Sequence, residues 1–164
     1  MIVALDVQYD DAQSKATAAA VVFERWTDAA PFMEYTAVVE NVQPYVPGEF
    51  FRRELPCLVA VISKIQEPID LLVVDGYVRL DDRPGMGEHL FEHFEGRVPV
   101  VGVAKSRFHG AVGVEFFRGG SKSPLHVTAI GCNIAEAAEH VLTMHGPHRI
   151  PTLLKRVDQL AKGR

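Results

Sequence analysis

The chain has 164 residues, 17 basic against 21 acidic side chains for a formal net charge of −4, and is 48% apolar and 23% charged. That balance belongs to an ordinary globular domain: it excludes a disordered chain, there is no run of about 18 apolar residues to span a bilayer, and the mild acidity argues against a nonspecific basic coat for nucleic acid while leaving room for a local basic groove. Cys57 and Cys132 make neither a disulfide framework nor a zinc pattern, and the opening MIVALDVQY shows no basic stretch or cleavage pattern, so the expectation is a single domain over residues 1–164 in a reducing, cytoplasmic setting.

Three strands are expected first, over residues 2–7, 17–26 and 32–39, joined by DDAQSK and TDAAP, short connections suited to antiparallel hairpins. After Pro47-Gly48 the period changes. Phe51, Leu55, Leu58, Ile62 and Ile65 recur at helical spacing, with Pro56 predicting a kink or a new helix beginning near Leu55. An apolar strand over 69–74 then ends in Asp75-Gly76, a helix is expected over 86–94 and a buried strand over 98–104. Residues 112–117 and 126–130 read as strands around a GGSKSP turn. Two helices close the chain, one with Ile134, Ala137, Ala138, Val141 and Leu142 on a face, the other with Leu153, Leu154, Val157, Leu160 and Ala161. Strand runs that give way to strand–helix alternation predict an α/β sheet with helices on both faces.

Two aspartates stand out by position. Asp6 follows Ile2-Val3-Ala4-Leu5, and Asp75 follows Leu71-Leu72-Val73-Val74. A carboxylate at the end of a buried strand is costly unless it is paired, solvated or bound to a cation, and those strand ends are where open α/β sheets bind ligands. On neighbouring strands the two would share a divalent ion through hard oxygen ligands; taken singly, each is as well explained by a turn, since Asp-Gly is a common turn pair. Glu54 is a third candidate, at the edge of the Phe51/Leu55/Leu58 stripe, its alternative being an exposed helix acid paired with Arg52 or Arg53. Lys105 closes the strand of Val100 to Ala104, placed either to neutralise the acids or to contact a phosphate. His89-Leu90-Phe91-Glu92-His93 has the H-x-x-E-H spacing of a zinc hydrolase, but no third ligand follows it. His145 and His148 read as solvated loop residues.

Together these segments resemble the endonuclease V family of deoxyinosine 3′ endonucleases. The matching pieces are LDVQY around Asp6, PYVPGEFFRRE from Pro44 to Glu54, VVDGY around Asp75, VPVVGVAKSR from Val98 to Arg107, and HRIPTLLKRVDQLAK near the C-terminus, in the family's order across almost the whole chain. The resemblance implies a ribonuclease H-like mixed sheet with helices on both faces, in which acidic residues bind Mg²⁺ or Mn²⁺ and a phosphodiester is hydrolysed 3′ to deoxyinosine or inosine in DNA or RNA. It implies Asp6, Glu54 and Asp75 as catalytic metal-binding carboxylates, Lys105 as the lysine near the scissile phosphodiester, and Tyr45, Pro47 and Gly48 as the wedge beside the lesion, where an aromatic ring stacks as a base is displaced.

The chain departs from the family pattern in three places. The family usually carries Gly-His where this chain reads Gly131-Cys132, and that His helps to organise the metal site; a thiol is poorly matched to Mg²⁺, so Cys132 is expected to impair turnover. After Asp75 the family's His-Pro-Arg stretch is replaced by one that includes Asp81 and Asp82. The family's N-terminal extension is missing, which predicts weak, salt-sensitive binding. These departures motivate the alternative of a catalytically impaired relative that serves as a nucleic-acid or protein binding module.

Overall fold

The computed structural model of the chain describes residues 1–164. In chain order the elements are β1 (Ile2–Asp10), β2 (Lys15–Phe23), β3 (Met33–Glu40), α1 (Phe50–Ile62), β4 (Leu71–Asp75), β5 (Arg79–Leu80), β6 (Arg83–Pro84), α2 (Met86–His93), β7 (Val100–Ala104), β8 (Val114–Phe116), β9 (Leu125–Ile130), α3 (Ile134–Thr143) and α4 (Thr152–Ala161). Seven strands form one mixed sheet in the order β3-β2-β1-β4-β7-β9-β8. β1, β2 and β3 are an antiparallel meander, β1, β4 and β7 run parallel, and β9 turns back antiparallel to β7.

The alternation of side chains along a strand explains the two-sided core. Ile2 and Ala4 of β1, Val73 of β4 and Val101 and Val103 of β7 point to the face covered by α3 and α4. Val3 and Leu5, Leu72 and Val74, and Val100 point to the face covered by α1 and α2. Each face buries 17 residues, so neither layer is a minor appendage. β2 contributes Ala16, Ala18 and Ala20 under α1, and their small side chains let the helix lie close to the sheet.

Three features differ from the sequence expectation. β2 ends at Phe23, short of Trp26, whose ring stacks on His140 of α3 at 5.3 Å. α1 is continuous through Pro56. The bond that Pro56 cannot donate is outweighed by a buried stripe on both sides of it, Glu54, Cys57, Leu58, Val61 and Ile62. That stripe is turned relative to the expected one: Phe51 and Leu55 are only partly buried, and Glu54 faces inward. Finally, β5 and β6 form a two-stranded hairpin after Asp75, too short to leave a periodic signal.

Candidate active site at the end of the parallel strands

The register of β1 on β4 pairs Leu5 with Val74, so Asp6 and Asp75 are the next residues along two adjacent parallel strands. Pleat parity places Asp6 with Ala4, Asp75 with Val73, and Lys105 with Val103, all on the face that α4 covers. Lys105 Nζ lies 2.9 Å from Asp75 Oδ2. The chain after Asp75 then crosses the sheet end over Gly102. A Cβ at Gly102 would stand 2.5 Å from the Gly76 carbonyl oxygen and 2.9 Å from the Val78 nitrogen, so only glycine fits beneath this crossing. Thr128 Oγ1 accepts a hydrogen bond from the Val78 N–H at 2.9 Å and holds the turn in place.

Glu54 arrives from the other layer. It is 8% exposed on α1, takes no hydrogen bond, and still feels the charges of Asp6 and Asp75. Burial first, and then those two acids, push its carboxyl up to about 8, against the opposing pull of Arg53. The Asp6 carboxyl is pushed up to about 6 by burial and by Asp75, although the Val7 N–H donates to it at 2.9 Å. Burial alone would depress the Lys105 ammonium, but the bond to Asp75 and the charges of Asp75, Asp6 and Asp158 outweigh it and raise its pKa. The expected alternative for Glu54, an exposed acid paired with Arg52 or Arg53, does not hold: Arg52 pairs with Glu49 and Arg53 with Asp11.

A cleft of about 30 Å³ lies between Asp6, Asp75 and Lys105 and the lead into α4, walled by Val103, Pro151, Leu154 and Val157. It has room for an ion or a water, not for a nucleotide. As the side chains stand, no three His, Cys, Asp or Glu groups gather closely enough to cage an ion. The donor set nevertheless suits a hard divalent cation: the groups are carboxylate oxygens, they repel one another, and the buried Glu54 carboxyl has no hydrogen-bond donor.

Sequence reasoning missed Asp158. Its charge acts on Asp6 and on Lys105, from a position one helical turn after Leu154, which lines the cleft. That i+4 spacing was the available signal. Arg149 was missed too. It donates to the Lys105 carbonyl and, at 2.8 Å, to the Pro124 carbonyl, which fastens the end of β7 to the α4 lead.

Tyr45, Pro47 and Gly48 lie on an exposed loop ahead of α1, with Gly48 at φ +81° and the Tyr45 ring 6.3 Å from that of Phe50. A pocket of about 190 Å³ separates this loop from the β5–β6 hairpin and α2, lined by Tyr45, Gly48, Phe51, Leu80, Arg83 and His89. His89 stacks on Phe51 at 3.8 Å and His93 meets Phe94 edge-on, so the H-x-x-E-H pair packs against aromatic rings and gains no third ligand. His145 and His148 are exposed, as expected.

Cys132 is not near the acids. β9 runs antiparallel to β7, with Ala104 opposite His126 and Val100 opposite Ile130. Cys132 therefore follows the strand at the Val100 end, separated from the site by four residues of strand, roughly 13 Å. Its thiol is also exposed. The expectation that Cys132 replaces a group in the metal site is corrected by this reversal of direction.

The Endonuclease V family model matches residues 1–140. The chain belongs to the endonuclease V family. Endonuclease V of Streptomyces avermitilis is 31% identical over 98% of this chain and 79% of its own length, and that of Streptomyces coelicolor is 31% identical over 98% and 77%. The crystal structure of the Streptomyces avermitilis enzyme superposes with a TM-score of 0.80 at 30% identity, covering 99% of this chain and 79% of that one. The Ciona intestinalis endonuclease V, solved with a 24mer DNA containing an inosine followed by a ribo-adenosine, gives a TM-score of 0.77 at 18% identity and covers 99% of this chain and 84% of its own. The fold is accordingly the mixed, ribonuclease H-like α/β sheet of endonuclease V structures. No helix is long and apolar enough to cross a membrane.

Proposed function

We propose that this member of the endonuclease V family hydrolyses a phosphodiester on the 3′ side of deoxyinosine or inosine in DNA or RNA, with Mg²⁺ or Mn²⁺ held by Asp6, Glu54 and Asp75. What supports the reading is that Asp6 and Asp75 end adjacent parallel strands while Glu54, buried in the other layer, lies near enough to feel both charges, with more negative charge than Lys105 offsets. Bound there, a divalent ion supplies activation of water and relief of charge on the leaving oxygen.

The chain's own groups do the rest. Glu54, held protonated near neutrality by burial and by its neighbours, gives up its proton when a cation takes its place. Lys105 stays charged and presents its ammonium where a phosphate would approach Asp75. Tyr45 offers a ring for stacking beside the displaced base, and the pocket of about 190 Å³ between its loop and the β5–β6 hairpin receives that base. Leu154 and Val157 wall the cleft with apolar surface, and a less polar surrounding strengthens each charge interaction inside it.

The test is cleavage of end-labelled DNA and RNA strands containing one hypoxanthine, beside matched strands with guanine, with Mg²⁺ and Mn²⁺ in separate reactions. A single nick 3′ to the hypoxanthine, dependent on added metal, is expected. Equal cutting of both strands, or no cutting by folded protein with either metal, would overturn the proposal. Cys132 no longer favours the impaired relative, because it lies at the far end of β9.

A further inference from the structure

Arg53 is buried to 7% exposure beside the site, and its guanidinium carbon lies 3.8 Å from the centre of the Tyr9 ring. A guanidinium has five N–H donors, yet this one makes a single hydrogen bond, from Nη2 to Asp11 Oδ1 at 2.6 Å. Its Nε–H is buried with no partner. A donor left in that state costs free energy, and an oxyanion with two acceptor oxygens is the ligand that satisfies a guanidinium fork. The carboxylate now in contact is poorly secured, because the Asp11 side chain is 80% exposed while its partner is buried.

Arg53 and Asp11 line a pocket of about 370 Å³ with Ser14, Lys15, Gln43 and Tyr45. This pocket is separate from both the cleft at Asp75 and the pocket facing the β5–β6 hairpin. It shares only Tyr45 with the latter. Lys15 adds a second cation, half exposed and 3.4 Å from Glu40. The Tyr45 ring, 59% exposed, adds an aromatic face. A cation fork, a second ammonium and an aromatic face side by side are what a single strand of nucleic acid uses, phosphate to guanidinium and base to ring.

We propose that Arg53, with Lys15 and Tyr45, is a phosphate subsite for the strand flanking the cleavage point, and that Asp11 occupies the phosphate's place until a strand displaces it. This inference rests on the endonuclease reading and adds a second grip on the substrate. The neighbouring position of Glu54 in the chain sets that grip next to the reacting centre.

The experiment measures binding of short labelled single strands, with and without hypoxanthine, by fluorescence anisotropy across a salt series in the presence of a chelator. Asp11→Asn removes the stand-in and is expected to tighten binding about two- to fivefold at low salt, as expected for loss of one competing exposed ion pair. Arg53→Lys keeps the charge but loses the fork, and should weaken binding about tenfold. Arg53→Gln should do the same and also lower the slope of log affinity against log salt by about 0.7, one phosphate contact on a single strand. Should Arg53→Gln fail to fold, Asp11→Asn, which alters an exposed side chain, still decides. Unchanged strand affinity in Asp11→Asn overturns the subsite.

A thermal-unfolding arm with sodium phosphate against chloride at matched ionic strength separates the sources of the anion. If phosphate stabilises Asp11→Asn while its strand affinity stays at the parent value, the pocket takes free anions only and the strand subsite is overturned. Cleavage of the hypoxanthine strand is scored separately. A parent that cleaves, beside an Asp11→Asn variant that binds no tighter, sinks the subsite alone; a parent that neither binds nor cleaves sinks the endonuclease reading with it.

Discussion

The two ends of the parallel strands are built from the same apolar run and treat charge in opposite ways. At the amino ends, the Met1 ammonium is bonded to the Pro68 carbonyl and paired with Asp70, and Gly131 tucks against Phe91 and Pro99. Charges there are matched, and the turn is neutral. At the carboxyl ends Asp6, Asp75, Glu54 and Asp158 act on one another or on Lys105, and Glu54 has no hydrogen bond at all. Asp75 pairs with Lys105 and Asp158 with Lys162, but Asp6 and Glu54 have no cationic partner, which an ordinary stability requirement would have supplied. That excess of negative charge, concentrated where the sheet opens toward α4, is the physical basis for the proposed site.

Substitutions at the two ends should therefore behave differently. The largest effect is expected of Asp75→Ala, which should reduce cleavage roughly a thousandfold, the several kcal/mol that a lost metal-holding carboxylate costs. Single-turnover rates at saturating protein check it, and parent-like cleavage would remove Asp75 from the site. Lys105→Gln should cost about a hundredfold in rate while leaving the fold intact, because the residue is half exposed and its loss removes one charge from the approach to Asp75.

The third expectation concerns stability. The Glu54 carboxyl has its pKa raised from 4.5 to about 8, and Asp6 from 3.8 to about 6. The folded protein thus binds protons that the unfolded chain has released, so the stability of the metal-free protein falls as pH rises from about 4.5 to about 8, by up to a few kcal/mol. Glu54→Gln should flatten that fall and melt above the parent near pH 8. Melting temperatures across the range, taken with chelator, would contradict the assignment if the parent were equally stable throughout. For the same reason the affinity for Mn²⁺, read by calorimetry, should drop between about pH 8 and about pH 6 as protons compete for the carboxylates.

The smallest effect should come from the other end. Cys132→Ser is expected to leave cleavage within about twofold of the parent and its metal dependence unchanged, since surface substitutions away from a site are near neutral. A large loss would mean that the two ends of the sheet are coupled.

Much of this contrast was legible before the structure. Apolar runs ending in Asp6, Asp75 and Lys105 mark the strand ends, and strand–helix alternation forces the β4 and β7 ends to the same side. What the sequence leaves hidden is orientation and phase. Glu54 reads only as the edge of the stripe that Phe51 and Leu55, both large and apolar, suggest, whereas tertiary packing turns the buried face by about one residue and brings it inward. The resemblance sets Cys132 at a position that organises the metal site, and reading along the chain carries no sign of the direction β9 takes against β7. Asp158 was passed over because, inside an amphipathic helix beside Lys162, it has the ordinary appearance of an exposed ion pair.

The most direct measurement sets parent, Asp6→Asn and Cys132→Ser against one hypoxanthine-containing strand with Mn²⁺ and follows the 3′ nick with time. The account predicts a nick by the parent and by Cys132→Ser at similar rates, and none by Asp6→Asn. Cleavage that survives Asp6→Asn, or that disappears in Cys132→Ser, would place the chemistry somewhere other than the carboxyl ends of β1 and β4.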